Sequence, residues 1–270
     1  MTRPPTALTA GAVTLAVVAL GCFTLPLVSP HDPYRPDPMN AMLPPSPLHW
    51  LGTDQLGRDL LTRTAAAGRT SLLFALAVTT VTTAIGTVTG AIAGLAGGWP
   101  DRVLRQISII ALALPGLTLA LVLSGELPSG HTTLFIALVP LGWVSCASVV
   151  RTVVRQTAIT GYVLASRTMG ASTLQLLRHD IAPHALGPAC TVATADFARA
   201  LIAATSLSFL GIGLPPPHID WGGMINEATP HLIASPRLAI APSIAIALTS
   251  LSIMLITDAL RERTPNHKPP

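Results

Sequence analysis

Charged side chains are scarce in this sequence. Aspartate, glutamate, lysine and arginine together make up 10% of its 270 residues, whereas an ordinary soluble domain has about 25%. Half of the residues are hydrophobic and the mean hydropathy is +0.59, so too few polar side chains are present to cover a soluble globule. The composition therefore argues against a soluble enzyme. The net charge of +4 comes from scattered basic residues, which argues against a patch that follows nucleic-acid phosphates.

Cysteines and the common catalytic motifs are also scarce or missing. Cys22, Cys146 and Cys190 lie in apolar runs, so they predict neither a disulfide framework nor a metal site. The sequence contains no G-x-x-x-x-G-K-[ST] phosphate loop, no G-x-S-x-G elbow and no H-E-x-x-H helix. Its only lysine is Lys268, and its eight histidines form no i,i+4 pair. These absences predict no catalytic residues, no metal site and no nucleotide site in this chain. The chain is therefore expected to be a passive pathway that depends on an outside source of energy.

Long apolar stretches dominate the sequence instead. A helix needs about 20 mainly apolar residues to cross a bilayer. A scan for stretches without charged residues gives six spans, at about 7–28, 72–96, 104–123, 132–150, 188–211 and 238–257. The first is also compatible with a cleaved signal sequence, but it is long for that role and we interpret it as a retained helix. The predicted fold class is all-α, a polytopic integral membrane protein with six transmembrane helices.

The distribution of arginine predicts the orientation of these spans. Segments 97–105 and 151–183 carry arginines, whereas segments 124–131 and 212–236 carry no lysine or arginine. Because positively charged loops stay in the cytoplasm, we expect both termini and segment 151–183 to be cytoplasmic. The predicted division is an N-terminal region with the first helix, an outward-facing connector, a five-helix core and a cytoplasmic tail, at residues 1–31, 32–69, 70–260 and 261–270.

Two features inside the predicted spans suggest contacts or function. Gly86, Gly90 and Gly94 recur every four residues in the second span, which places them on one helix face where another helix can approach closely. That face either packs statically or lets the helix slide. Asp196 and Arg199 lie within the fifth span, where charges usually face a cavity or a partner. The pair either lines a translocation path or forms an internal ion pair at a subunit interface.

Three motifs together resemble those of one family. They are L-G-T-D-Q-L-G-R-D at 51–59, Y-V-L-A-S-R-T-M-G-A-S at 162–172 with I-A-P at 181–183, and L-S-F-L-G-I-G-L at 207–214 with W-G at 221–222. The combination resembles the membrane permease subunit of a binding-protein-dependent ABC importer. Within that group it is similar to the second permease of the dipeptide, oligopeptide and nickel family. The resemblance extends over residues 7–262.

The middle motif is similar to the family's cytoplasmic EAA loop. We expect a short helix over 162–169 that Gly170 ends, and a second short helix capped by Ser172. The resemblance implies that this loop docks in a groove of the ATPase subunit and transmits its closure to the spans. Leu164 stands at the family's glutamate position, so Arg167 or Arg178 either supplies a charged contact or only keeps the loop cytoplasmic. The residues expected to act in coupling are Tyr162, Ala165, Ser166, Arg167, Gly170, Ala171, Ser172, Arg178 and Pro183.

The resemblance also implies the partners. They are a homologous permease, two ATPase subunits or domains that bind ATP and magnesium, an extracytoplasmic substrate-binding protein and the lipids of a bacterial plasma (inner) membrane. This chain itself would bind no cofactor. On the outer side, His218, Asp220 and Glu227 either meet the binding protein or form local turn structure.

The cargo implied by the resemblance is small peptides, with nickel or a metal chelate as the alternative. The sequence lacks the features of two other classes of protein. An ion-coupled secondary transporter should have repeated halves with broken spans, and the sequence shows no convincing repeat. A membrane-embedded scaffold or enzyme would need a nucleophile–base pair or metal-ligand cluster in the spans, and none is visible.

Overall fold

The computed structural model describes residues 6–113, 118, 121–122, 128–215 and 217–263. Regular structure in these residues is helical, apart from an isolated antiparallel bridge between Thr53 and Asp59. The α-helices of this part of the chain are α1 Thr6–Val28, α2 Leu60–Ala96, α3 Gly98–Ala113, α4 His131–Ala158, α5 Gly161–Thr168, α6 Thr173–Gln175, α7 Ala182–Leu207, α8 Trp221–Ala228 and α9 Arg237–Arg263. Short 3₁₀ turns cover Pro38–Asn40 and Thr229–His231, and π-helical turns cover Leu176–Ile181 and Ser208–Ile212. The all-α prediction is confirmed.

Five helical stretches in the described residues are long and apolar enough to cross a membrane. They run over Thr6–Val28, Leu60–Ala96, His131–Ala158, Thr173–Ile212 and Arg237–Glu262. The predicted third span, 104–123, begins within α3, and most of its second half, at 114–117, 119–120 and 123, lies outside the described residues. The structure therefore describes five of the six predicted spans and the beginning of the remaining one.

Helix α2 begins earlier than predicted. It starts at Leu60 rather than near residue 72, because Asp59 caps it by accepting a hydrogen bond from the Thr62 N–H at 2.8 Å. The prediction excluded this stretch because it contains two arginines. Arg63 is buried beside acidic side chains, however, and Arg69 lies 5.7 Å from the centroid of a phenylalanine ring in α1. Residues 60–69 are therefore helical, and the connector between α1 and α2 comprises residues 29–59.

Helices α2 and α4 pack closely along the glycine face. A Cβ atom built on Gly86, Gly90 or Gly94 would lie 2.7, 2.5 or 2.8 Å from a backbone oxygen of α4. Real Cβ atoms do not approach that closely, so each of these positions needs a residue without a side chain. Lipid tails are as apolar as the helix surface, so the hydrophobic effect does not drive two membrane helices together. Close backbone contact stabilises the pair through dispersion energy instead.

The segment between α4 and α7 is more helical than predicted. Helix α4 runs to Ala158 instead of ending near residue 150, because the arginines of its last turns pair with Asp101 and so do not end the helix. On the other side, helical structure is continuous over Thr173–Ile212, whereas the prediction began at 188. The π-helical turn at Leu176–Ile181 ends two residues before Pro183. The ring nitrogen of this proline has no hydrogen for the usual backbone bond.

Helix α8 is anchored to α2 by one tryptophan. Trp221 is fully buried, and its indole Nε1 donates to the Thr64 carbonyl at 2.9 Å. Its backbone N–H donates to Ser71 Oγ at 3.1 Å. Tryptophan combines a large apolar surface with one polar atom that needs a partner when it is buried. These contacts fix α8 against the first turns of α2.

Candidate functional site

The predicted coupling residues form a helix, a tight turn and the start of a second helix. Helix α5 spans Gly161–Thr168, and Gly170 then adopts a φ of 89°, a left-handed conformation that favours glycine. Ser172 and Gln175 cap the next helix reciprocally. Ser172 Oγ accepts from the Gln175 N–H at 3.3 Å, and Gln175 Oε1 accepts from the Ser172 N–H at 2.8 Å. Local hydrogen bonds therefore fix the shape of this segment.

The face of this segment that points away from the rest of the chain is largely exposed. Among the predicted coupling residues, Ser166 and Ala171 are partly buried, and the exposed ones are Tyr162, Ala165, Arg167, Gly170, Ser172, Arg178 and Pro183. Sequence reasoning missed two apolar side chains here, Met169 and Leu174, which are 81% and 71% exposed. Leu164, at the family's glutamate position, is also exposed. Large apolar side chains exposed on short helices mark a surface that a partner can cover.

The inner face of the segment packs into a core shared with α4. Val163, Leu176 and Ile181 are buried against Val150 and Val154 of that helix. Protein interiors are densely packed and transmit displacement rather than absorb it. The segment therefore contacts α4, and α4 in turn contacts α2 along the glycine face.

A cluster of charges joins α3 to the end of α4. Asp101 is buried and accepts hydrogen bonds from Arg151, from Arg155 at 3.2 Å and from Arg105 at 3.2 Å. The Arg151 hydrogen bond and the nearby positive charges hold the pKa of Asp101 below its ordinary value. Sequence reasoning interpreted Arg151 and Arg155 only as markers of the cytoplasmic side. Their role in holding two helices together was missed because Asp101 lies 50 residues from Arg151.

The charged pair of the fifth predicted span is formed as expected from its spacing. Arg199 donates to Asp196 Oδ1, and its other terminal nitrogen donates to Ser145 Oγ of α4 at 3.4 Å. Asp196 is 8% exposed, and its Oδ2 has no hydrogen-bond partner among the described residues. The Arg199 side chain is 60% exposed. The pair thus combines a buried, under-satisfied carboxylate with a guanidinium at the surface of the chain.

The first sequence motif folds into an ion network at the start of α2. Asp54 accepts from Arg58 Nε at 2.7 Å and from Arg63 Nη1. Glu227 of α8 accepts from Arg63 Nη2 at 2.7 Å and from Gln55 Nε2 at 3.3 Å. Burial raises the pKa of Glu227 above its ordinary value, and this outweighs the opposing effect of the Arg58 guanidinium. The motif therefore ties the connector, α2 and α8 together.

Asp220 and Glu227, the two acidic residues between α7 and α9, both have partners within the chain. Glu227 has partners within the chain, and Asp220 is buried as the cap of α8, where it accepts from the Gly223 N–H at 3.1 Å. Both serve local structure. His218 is exposed and lies edge-on to Tyr34, with ring centroids 6.4 Å apart.

A cavity of about 880 Å³ opens between the end of α1, the connector and the first turns of α2 and α4. Its lining includes the polar side chains of His31, Asp32, Arg69 and His131. Phe74 stacks on the His131 ring, with centroids 5.3 Å apart. Its volume lies in the range of small-molecule sites.

Together these features define a polytopic α-helical membrane protein whose short, partly exposed helices are packed rigidly onto its membrane spans. Residues 86–264 match the family model described as binding-protein-dependent transport system inner membrane component. The chain belongs to this family and is a permease subunit of an ABC importer, a transporter component and not an enzyme.

Curated relatives cover nearly the whole chain. The oligopeptide transport system permease protein OppC of Bacillus subtilis is 34% identical over 93% of this chain and 83% of its own length. The dipeptide transport system permease protein DppC of the same organism is 35% identical over 88% of this chain and 74% of its own length. The nickel transport system permease protein NikC of Escherichia coli is 32% identical over 94% of this chain and 92% of its own length.

Proposed function

We propose that this chain forms half of a translocation pathway for small peptides, driven by ATP hydrolysis in partner subunits. The observation that carries the proposal is the similarity to two permeases named for peptide transport, which extends over 93% and 88% of this chain. The proposed cargo is a di- or oligopeptide, delivered from outside by a substrate-binding protein.

The proposed assembly contains this chain, a homologous permease and two ATPase subunits or domains. ATP and magnesium are bound by the ATPases. The family description names a binding-protein-dependent system, which supports a separate protein for cargo delivery. In this arrangement both termini and segment 151–183 are cytoplasmic, and the connector and the loop 212–236 face outward. The arginine distribution supports this orientation.

The segment from α5 to α6 is proposed to dock on the ATPase. Its exposed apolar side chains, Met169 and Leu174, are suited to fill a groove, and Arg167 and Arg178 are exposed for charged contacts. Leucine at position 164 suits an apolar contact at this point. Closure of the ATPases would move the segment as a rigid piece because its inner face is packed against α4. ATP thereby shifts an equilibrium between outward-open and inward-open states, since it binds one ATPase arrangement more tightly.

Asp196 and Arg199 are proposed to lie on the translocation path. The exposed guanidinium supports this role because a peptide carries a carboxylate that arginine can bind through two hydrogen bonds. The alternative is that the homologous permease satisfies this pair at the interface between the two chains.

The coupling proposal is tested by ATP-dependent uptake in proteoliposomes that contain the complete complex. Gly170→Pro should abolish uptake while the chain still inserts, because the φ of 89° at this position is closed to proline. Ala171→Asp should do the same by placing a charge where this segment packs against its buried core. Gly161→Ala is the matched control, since a Cβ there meets open space. Uptake at the wild-type rate by Gly170→Pro would overturn the assignment of the coupling segment.

Nickel or a metal chelate is the second candidate cargo. The similarity to a nickel permease over 94% of this chain favours it. Native mass spectrometry of the cognate binding protein separates the two cargoes. A ladder of short peptides supports the proposal, and a bound nickel ion or chelate replaces it with metal uptake by the same mechanism.

A further inference from the structure

Three potential metal ligands meet where the connector joins α2. His31, His49 and Asp59 each offer one ligand atom, and these atoms lie within 4.8 Å of one another. His49 and Asp59 are buried, and His31 is partly buried. Metal–nitrogen bonds are about 2.0–2.1 Å long, so two nitrogen ligands of one ion lie at most about 4.2 Å apart. The limit of 4.8 Å for the atoms of this cluster is close to that separation. The ring centroids of the two histidines are already only 4.6 Å apart.

The hydrogen bonding of His31 favours a ligand role. Its Nε2 lies 3.1 Å from the Leu48 carbonyl oxygen. A carbonyl can only accept, so Nε2 carries the hydrogen and Nδ1 keeps a free lone pair. Histidines that bind metals usually donate their other ring N–H to a carbonyl or carboxylate in this way, which fixes the tautomer and the ring orientation.

The other two side chains are held in place by their surroundings. Asp59 Oδ1 accepts from the Thr62 N–H at 2.8 Å, and Asp59 Oδ2 accepts from His49 Nδ1 at 2.9 Å. In the absence of a metal, the second contact is an ordinary hydrogen bond. Metal binding at His49 Nδ1 would replace this hydrogen bond, and the hydrogen of the neutral imidazole would then be carried by Nε2.

We propose that His31, His49 and Asp59 form a binding site for a divalent first-row transition metal such as zinc, cobalt or nickel. Imidazole nitrogens suit these ions, and magnesium and calcium prefer oxygen ligands. Three protein ligands leave a coordination position open. His31 also lines the cavity of about 880 Å³, through which a metal ion can reach this side chain. The bound metal would link the connector to the start of α2 through these three ligands.

This inference differs from the prediction of no metal site. That prediction rested on local spacing, which detects ligands on one helix or in one short loop. Here the ligands come from positions 31, 49 and 59, and the fold brings them together. The site is independent of the peptide cargo, so its failure leaves the proposed function intact.

The test is titration of the purified transporter complex with Co²⁺ alone, followed by its visible absorption, which reports nitrogen and oxygen coordination. Zn²⁺ competition then gives relative affinities. His31→Ala should weaken Co²⁺ binding by about tenfold to a hundredfold or more, the loss seen when even outer partners of metal ligands are removed. His218→Ala is the matched control, because this exposed histidine contacts Tyr34 and not the cluster.

A second measurement guards against a folding defect. Thermal unfolding of the complex should shift upward with Zn²⁺ for the wild type and for His218→Ala, and should not shift for His31→Ala. Asp59→Asn keeps an acceptor for the helix cap and should lose the shift as well. Equal Co²⁺ affinities for the wild type and His31→Ala would overturn the proposal, whatever the uptake activity.

Discussion

Arg63, in the first turn of α2, binds Glu227 of α8 with an Nη2–Oε2 distance of 2.7 Å. The same guanidinium binds Asp54 of the connector through its other terminal nitrogen. Arg63 is therefore the residue through which three separate segments on one side of the chain meet. Its side chain is 3% exposed, so solvent screens these interactions only weakly.

Removing Arg63 should destabilise the protein. Arg63→Ala leaves the buried Asp54 with one arginine fewer, and breaking a buried ion pair costs about 3–5 kcal/mol. Arg35→Ala is the control, because Arg35 is exposed on the same connector. Thermal unfolding of the complex in detergent should show a large decrease for Arg63→Ala and little change for Arg35→Ala. Equal unfolding temperatures would contradict the network.

Glu227 should give the stability a pH dependence. Its folded-state pKa is raised, mainly by burial, so its contribution is fully present below the unfolded value of about 4.3 and is lost as pH rises through the folded value. Glu227→Gln removes this titration. The unfolding temperature of the wild type should therefore fall relative to that of Glu227→Gln as pH rises from about 4.3. Parallel profiles would show that Glu227 does not titrate differently in the folded state.

The glycine face should tolerate no side chain. Gly90→Ala places a Cβ 2.5 Å from a backbone oxygen of α4, and overpacking of this kind costs about 1–3 kcal/mol. Gly187→Ala makes the same change in α7, where a Cβ meets open space, and should be neutral or stabilising because alanine favours the helix. Thermal unfolding and uptake of both variants provide the check. A Gly90→Ala variant as stable as Gly187→Ala would contradict the close contact.

The charged pair should matter for flux or assembly. Asp196→Asn preserves the shape of the side chain but removes the charge that pairs with Arg199. If the pair lines the path, peptide uptake should fall while the yield of assembled complex stays normal. If the pair stabilises the interface between the two permeases, the yield of assembled complex should fall. Unchanged uptake and yield would exclude both roles.

The sequence predicted those features that depend on local pattern. Apolar length located five spans that the structure describes, and the four-residue glycine spacing pointed to the face that contacts α4. The short helix before Gly170 and the Ser172 cap followed from residue preferences at helix ends.

The features that were missed depend on partners distant in sequence. The start of α2 was placed twelve residues too late because Arg63 and Arg69 interrupt the apolar stretch. The partner of Arg63, Glu227, lies 164 residues away. Helix α4 was cut short at Arg151 for the same reason, since Asp101 is 50 residues earlier. An arginine appears in a sequence as one positive charge, and only the fold shows which carboxylate neutralises it.

The most direct test of the account is uptake by the reconstituted complex, with this chain, its permease partner, its ATPases and its binding protein. Labelled di- and oligopeptides and radioactive nickel are offered separately, with and without ATP. The account predicts that peptides accumulate inside the vesicles only when ATP, magnesium and the binding protein are all present. Peptide accumulation driven by an ion gradient without ATP, or ATP-dependent accumulation of nickel but not of peptides, would contradict it.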